Sequence, residues 1–124
     1  MQSNSSPRPF RSRRRFPRIE VMGLVEGRRV PLDVPLVIRD LSQGGFSAES
    51  AAPFVPGTHH QFRFTTAAGH EVALSATVIH CRLASAGPDG QITYITGFEF
   101  HSSETTDKSI STLMDTLASV LALD

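Results

Sequence analysis

Tryptophan is absent from this 124-residue sequence, and tyrosine, cysteine and lysine occur once each, as Tyr94, Cys81 and Lys108. A lone cysteine forms no internal disulfide and builds no cysteine zinc site. Without tryptophan, and with most phenylalanines on apparent core faces, few aromatic platforms remain for stacking single-stranded nucleic acid. No apolar run approaches the roughly 18–20 residues that cross a bilayer. The charged N-terminus has no apolar segment behind it, so no signal peptide is expected and the chain reads as cytoplasmic. Paired carboxylates, a phosphate-cradling P-loop and a nucleophile elbow are also missing, which argues against an enzyme. The five histidines have no chelating spacing. His59 and His60 are neighbours that face apart on a strand, and His70, His80 and His101 come from separate segments, so no metal site is expected.

Arginine is what the sequence does have. Eleven of its twelve cationic side chains are arginine, although the formal net charge is zero. Six of them (Arg8, Arg11, Arg13, Arg14, Arg15 and Arg18) lie in the first 18 residues, which contain no acid, for a local +6. The other 106 residues carry 6 basic and 12 acidic side chains, for −6. A basic arm on an acidic body implies an anionic ligand or an arm that folds back on the body. The choice of arginine over lysine favours planar, bidentate recognition of phosphates or guanine edges over diffuse attraction.

Residues 1–12 are rich in Ser, Pro and Arg and read as a flexible leader. Six short β segments follow, at 19–25, 34–41, 45–50, 60–66, 71–83 and 92–100. Gly27 suits a turn after the first, and Pro31 and Pro35 favour a strand start or an edge. Leu36 with Ile38, Phe46 with Ala48, Phe62 with Phe64, and Val72 through Val78 alternate at period two, and beyond Ile79 a bulge or twist is expected. Short strands at regular intervals predict a mainly β fold, a small antiparallel barrel over about 19–100. The tail changes period. Ile110, Leu113, Met114, Leu117 and Leu121 form a helical stripe over about 105–122, with Ser102 or Ser103 to cap it and Glu104 and Asp107 to suit its dipole. The stripe covers one end of the barrel, or it meets a partner or a second copy of the chain.

Two short patterns then stand in order. The arm holds R-x-x-x-R twice, as Arg11/Arg15 and as Arg14/Arg18, and "RDLSQGGF" (39–46) holds D-x-S-x-x-G as Asp40, Ser42 and Gly45. A Ser-Gly-Gly turn alone is an ordinary hairpin, and an arginine-rich leader alone is an ordinary solvated tail or nonspecific nucleic-acid arm. Together, with Arg18 and Asp40 22 residues apart and strands and a terminal helix following, they resemble the PilZ domain family. The likeness runs from about Arg13 to Leu121, so the domain is expected over 13–124, and "TGFEF" (96–100) resembles the family's closing strand. "RRRFPR" resembles the family's usual spelling, in which an aromatic and another residue precede the second arginine at the start of the first strand, and this likeness favours the Arg14/Arg18 register.

The resemblance implies a six-stranded PilZ-like split barrel with a C-terminal α-helix, and a non-catalytic bacterial receptor for cyclic di-GMP. The residues it marks for the ligand are Arg13, Arg14, Arg18, Asp40, Ser42, Gly44 and Gly45. Their chemistry suits it. Arginine forks onto guanine O6 and N7 or onto phosphate, and a carboxylate such as Asp40 accepts from guanine N1–H and N2–H₂. Ser42 offers a hydroxyl to a base edge or phosphate, and Gly44 and Gly45 let a ligand approach the backbone. Arg13, just before the arginine pair, resembles the arginine that in this family accompanies two stacked ligands, so two molecules per chain are expected. No cofactor is implied. The expected mechanism is an arm ordered by ligand and read by an unidentified effector protein, with a homodimer through the tail helix also open. The rival reading is a ligand-independent barrel that binds protein or nucleic acid through a basic tether.

Overall fold

Residues 18–122 are described in the computed structural model. The leader, Arg13, Arg14 and the Arg11/Arg15 pair lie outside the described residues. Seven strands and one helix follow: β1 (Ile19–Glu20), β2 (Val25–Val30), β3 (Val34–Leu41), β4 (Gly45–Ser50), β5 (His59–Thr66), β6 (Glu71–Ala86), β7 (Ile92–Phe100) and α1 (Glu104–Ala122). Every pairing is antiparallel, in the order β3-β2-β5-β6-β7-β4, and β3 pairing with β4 closes a six-stranded barrel. β1 is an extra strand lying against the last two residues of β3, with Ile19 opposite Leu41 and Glu20 opposite Asp40. Closure removes the open edges that an antiparallel sheet would otherwise expose.

The alternation read from the sequence is the alternation that fills the barrel. Leu36, Ile38, Phe46, Ala48, Phe62, Phe64, Leu74, Ala76, Val78 and Phe98 are all buried, whereas Val37 on the outer face of β3 is not. Phe46 sits among the aromatic rings, stacked on Phe98 with centroids 4.5 Å apart and edge-on to Phe62 and Phe64 at 5.2 and 4.9 Å. Such stacked and edge-on pairs add to simple burial because ring faces and edges carry opposite partial charge. The expected irregularity near Ile79 is a register shift between Val78 and His80, and β6 then runs on to Ala86, longer than its apolar pattern suggested.

The first strand differs from expectation. Residues 19–25 are not one segment: the chain turns after β1 at Gly23, whose φ is 84°, and Val21 drops into the core. The "EGRR" stretch, read as a turn at Gly27, is instead the middle of β2. Gly27 is there for space. A Cβ at this position would strike the Ile38 side chain, and Phe64 lies 3.5 Å away. The turn falls later, after Val30, where Asp33 adopts φ 60°.

α1 caps the barrel. Ile110, Leu113 and Leu117 are essentially fully buried and join the same core, each adding about 1.5–3 kcal/mol of apolar burial. Met114 packs against them, but Leu121, expected in the stripe, is 39% exposed because the last turn runs past the packed region. Ser103 is the N-cap: its hydroxyl accepts from the Thr106 N–H at 3.0 Å. Ser102 instead donates to the Asp107 carboxylate. Among the described residues no helix is long and apolar enough to cross a membrane.

Candidate functional site

The end of β3 carries a bulge that turns two polar side chains outward. The register shifts between Ile38 and Asp40, so Arg39 is the extra residue on this strand. Strict alternation from buried Ile38 would have sent Asp40 into the core and Leu41 outward. With the bulge, Leu41 is buried and Asp40 is half-buried at the surface. Re-aiming a side chain is what bulges do near functional sites. Arg39 meets Glu49 across the pairing, Nε to Oε2 at 3.5 Å.

Asp40 is held at both oxygens. Arg18 Nη1 donates to Oδ1 at 2.6 Å, and Ser47 Oγ donates to Oδ2 at 2.7 Å. The short β1–β3 pairing delivers Arg18, because Glu20 opposite Asp40 places the preceding chain beside the carboxylate. Both partners remain accessible, Arg18 at 41% and Asp40 at 26% of side-chain surface. Arg18 donates to anions, and the oriented Asp40 carboxylate beside it accepts from N–H donors, so the pair suits a ligand that offers both a negative group and a donor edge.

The 42–45 turn is built from within. Ser42 was expected to offer its hydroxyl outward, yet it is only 3% exposed. Its Oγ donates to the Gly45 carbonyl at 3.2 Å and accepts from the Gly44 and Gly45 N–H groups at 3.3 and 3.2 Å. The Ser42 N–H closes the same turn onto Gly45 O at 2.8 Å. The buried end of β3 leaves this hydroxyl nowhere else to turn. Gly45 was expected to clear space for a ligand, but a Cβ there would run into the Phe98 carbonyl of β7, so β4 and β7 require the glycine. Gly44 is half-buried on the rim, its carbonyl accepting from the Phe100 N–H at 3.0 Å.

Sequence reasoning passed over Ser47 and Gln43. Counting outward from a Ser42–Gly45 turn puts Asp40 opposite Ser47, so the turn itself was the available signal. No local pattern marks Gln43. Its Nε2 donates to the Asp107 carbonyl at 3.0 Å and its Oε1 accepts from Ser111 Oγ at 3.1 Å, fastening the turn to α1.

Just past the end of β7, where Phe100 bonds Gly44, two histidines meet in a way their spacing did not announce. His59 Nδ1 lies 3.0 Å from His101 Nε2, and Thr77 Oγ1 bridges them at 2.8 and 2.7 Å. His60 faces the other way against Phe54, as neighbours on a strand must, and Thr58 Oγ1 lies 2.9 Å from its Nε2. Burial, with help from the Arg29 and His59 charges, lowers the His60 pKa below its usual 6.5. Among the described residues no group of three or more His, Cys, Asp or Glu is arranged to hold a metal ion.

A closed six-stranded barrel, a helical cap and an arginine latched onto the aspartate of a D-x-S-x-x-G turn define a class. Residues 12–115 match the PilZ domain, and the chain belongs to the PilZ domain family. Solved structures agree on the fold. The chain is similar to the cyclic di-GMP-bound PilZ domain of YcgR from Escherichia coli, with TM-score 0.68 and 19% identity over 88% of this chain and 94% of that one. It is similar to the K. pneumonia MrkH–cyclic di-GMP complex, with TM-score 0.68 and 16% identity over 89% of this chain and 55% of that one. It is also similar to the Bacillus subtilis inhibitor of motility MotI/DgrA, with TM-score 0.58 and 12% identity over 84% and 51%. The chain spans 48% of the longer YcgR structure. No curated protein sequence matches it.

Proposed function

We propose that this protein is a non-catalytic, cytoplasmic receptor for cyclic di-GMP. Arg13, Arg14 and Arg18 clamp the nucleotide from the arm, against Asp40 and the Gly44 rim of the turn on the barrel. Ser42 and Gly45 serve the site by shaping that turn. The observation that carries the reading is the Arg18–Asp40 contact at 2.6 Å, which joins the arginine pattern to the D-x-S-x-x-G pattern 22 residues away. YcgR and MrkH are similar in fold and have been solved with this ligand.

The division into a basic leader at 1–12 and a domain at 13–124 belongs to the same reading. Ligand phosphates neutralise the arm's positive charge, the arm closes over the nucleotide, and the new surface is read by a downstream protein. Such an ordering switch needs no chemistry. Two ligands per chain fit the extra cation of Arg13, since a second nucleotide brings more phosphate charge.

Isothermal titration with cyclic di-GMP, with GTP and cyclic di-AMP as controls, tests it. Selective binding that disappears in the Arg14→Ala/Arg18→Ala double variant is the expected result, and a stoichiometry near two supports the part given to Arg13. Tight, selective binding that survives the double variant overturns the site. Absence of selective heat, together with nucleic-acid binding that collapses as salt rises, returns the arm to the tether reading.

A further inference from the structure

The carboxylate of Asp40 is aimed by a residue outside both sequence patterns. Ser47 lies directly across from Asp40 in the β3–β4 register, and its hydroxyl reaches Oδ2 at 2.7 Å. Arg18 holds the other oxygen, Oδ1, at 2.6 Å. A carboxylate has about four lone-pair positions, and among the described residues one contact falls on each oxygen. An acceptor position thus remains on each of the two carboxylate oxygens. That matches a ligand edge with two adjacent N–H donors, as guanine has in N1–H and N2–H₂.

The two contacts differ in what anchors them. Arg18 belongs to the arm, and a ligand phosphate competes for it. Ser47 is part-buried on a barrel strand paired on both sides, with Asp40 and with Gly97. When Arg18 turns to a phosphate, Ser47 is the side-chain contact among the described residues that still resists rotation about the broad terminal torsion of the aspartate. We propose that Ser47 is a positioning residue that sets the acceptor plane of Asp40 and so enforces the preference for guanine. The inference rests on the cyclic di-GMP reading above and adds to it the group that decides base specificity.

The test titrates the wild type, Ser47→Ala and Ser47→Thr with cyclic di-GMP and with its inosine analogue, which keeps N1–H but lacks the 2-amino group. Far-UV circular dichroism melts confirm folding in each case. The wild type should prefer the guanine ligand by about tenfold or more, the worth of one hydrogen bond to a charged group. Ser47→Ala should bind cyclic di-GMP about tenfold more weakly and reduce the preference to about twofold. Ser47→Thr, which keeps the hydroxyl, should restore both.

Wild-type affinity and preference in Ser47→Ala overturn the proposal. So does an equal loss for both ligands, which is what a merely structural serine would produce. A wild type that binds neither ligand overturns the receptor reading and takes this inference with it, whereas a binding wild type with an unaltered Ser47→Ala overturns this inference alone.

Discussion

The side chain of Gln43, in the turn after β3, donates to the main-chain carbonyl of Asp107, 64 residues later in the first turn of α1. It also accepts from Ser111 one turn further on. The loop that presents the candidate site and the helix that caps the barrel are therefore held by one side chain. Gln43→Ala should cost about 1 kcal/mol, the usual net worth of such hydrogen bonds. Amide hydrogen exchange should quicken selectively in the first two turns of α1. Uniform quickening across the barrel, or none at all, would refute the tether.

Arg18→Ala should separate binding from stability. The Arg18–Asp40 pair is exposed enough for water and salt to screen it, 41% and 26% on the two sides. Its loss should cost no more than about 1 kcal/mol and shift thermal unfolding by only a few degrees. Cyclic di-GMP binding should nevertheless vanish in the same preparation. A large drop in melting temperature would mean that Arg18 serves the fold rather than the ligand.

Ser42 and Gly45 should behave in the opposite way. Ser42→Ala strips acceptors from two glycine N–H groups in a buried turn and should destabilise by about 1–3 kcal/mol. Gly45→Ala drives a methyl group into the Phe98 carbonyl, and overpacking of this kind costs about 3 kcal/mol or more. Urea unfolding curves measure both. Loss of ligand binding in either variant then reports on the turn, and a Gly45→Ala protein as stable as wild type would contradict the packing.

His60 sets a direction for the pH dependence. Its pKa is lowered in the fold, first by burial and then by Arg29 and His59, so the folded protein resists protonating it. Below its usual 6.5 the unfolded chain takes up this proton before the folded one does. The contribution is therefore fully present above that value and is lost as pH falls through the lowered folded value. Urea midpoints measured across this window should fall with acidification, and His60→Gln should flatten part of the slope. A midpoint indifferent to His60→Gln would show that other groups dominate.

The legible part of the fold was the part governed by period. Phe62 with Phe64, Leu36 with Ile38 and Phe46 with Ala48 alternate in the sequence and are buried in the barrel, because strand side chains must alternate. Ile110, Leu113 and Leu117 repeat at helical spacing and pack where that spacing puts them. Gly27 misled because a glycine in isolation reads as a turn. Its reason for being there is the Ile38 side chain on another strand, which no local pattern reveals.

For the site, the sequence alone determined which chemistry is present: an arginine-dense arm, an aspartate ahead of a tight Ser-Gly-Gly turn, and strand and helix periods that define a small barrel with a cap. These depend on residue type and short-range geometry, which the chain carries locally. Only the tertiary structure decided where those groups face. The bulge at Arg39 turned Asp40 outward, β1 brought Arg18 to it, and β4 brought Ser47. Closure against β7 made Gly45 a packing residue and buried Ser42 as the staple of its own turn. Each of these depends on register between strands distant in sequence, and register is set by the whole barrel closing on one core.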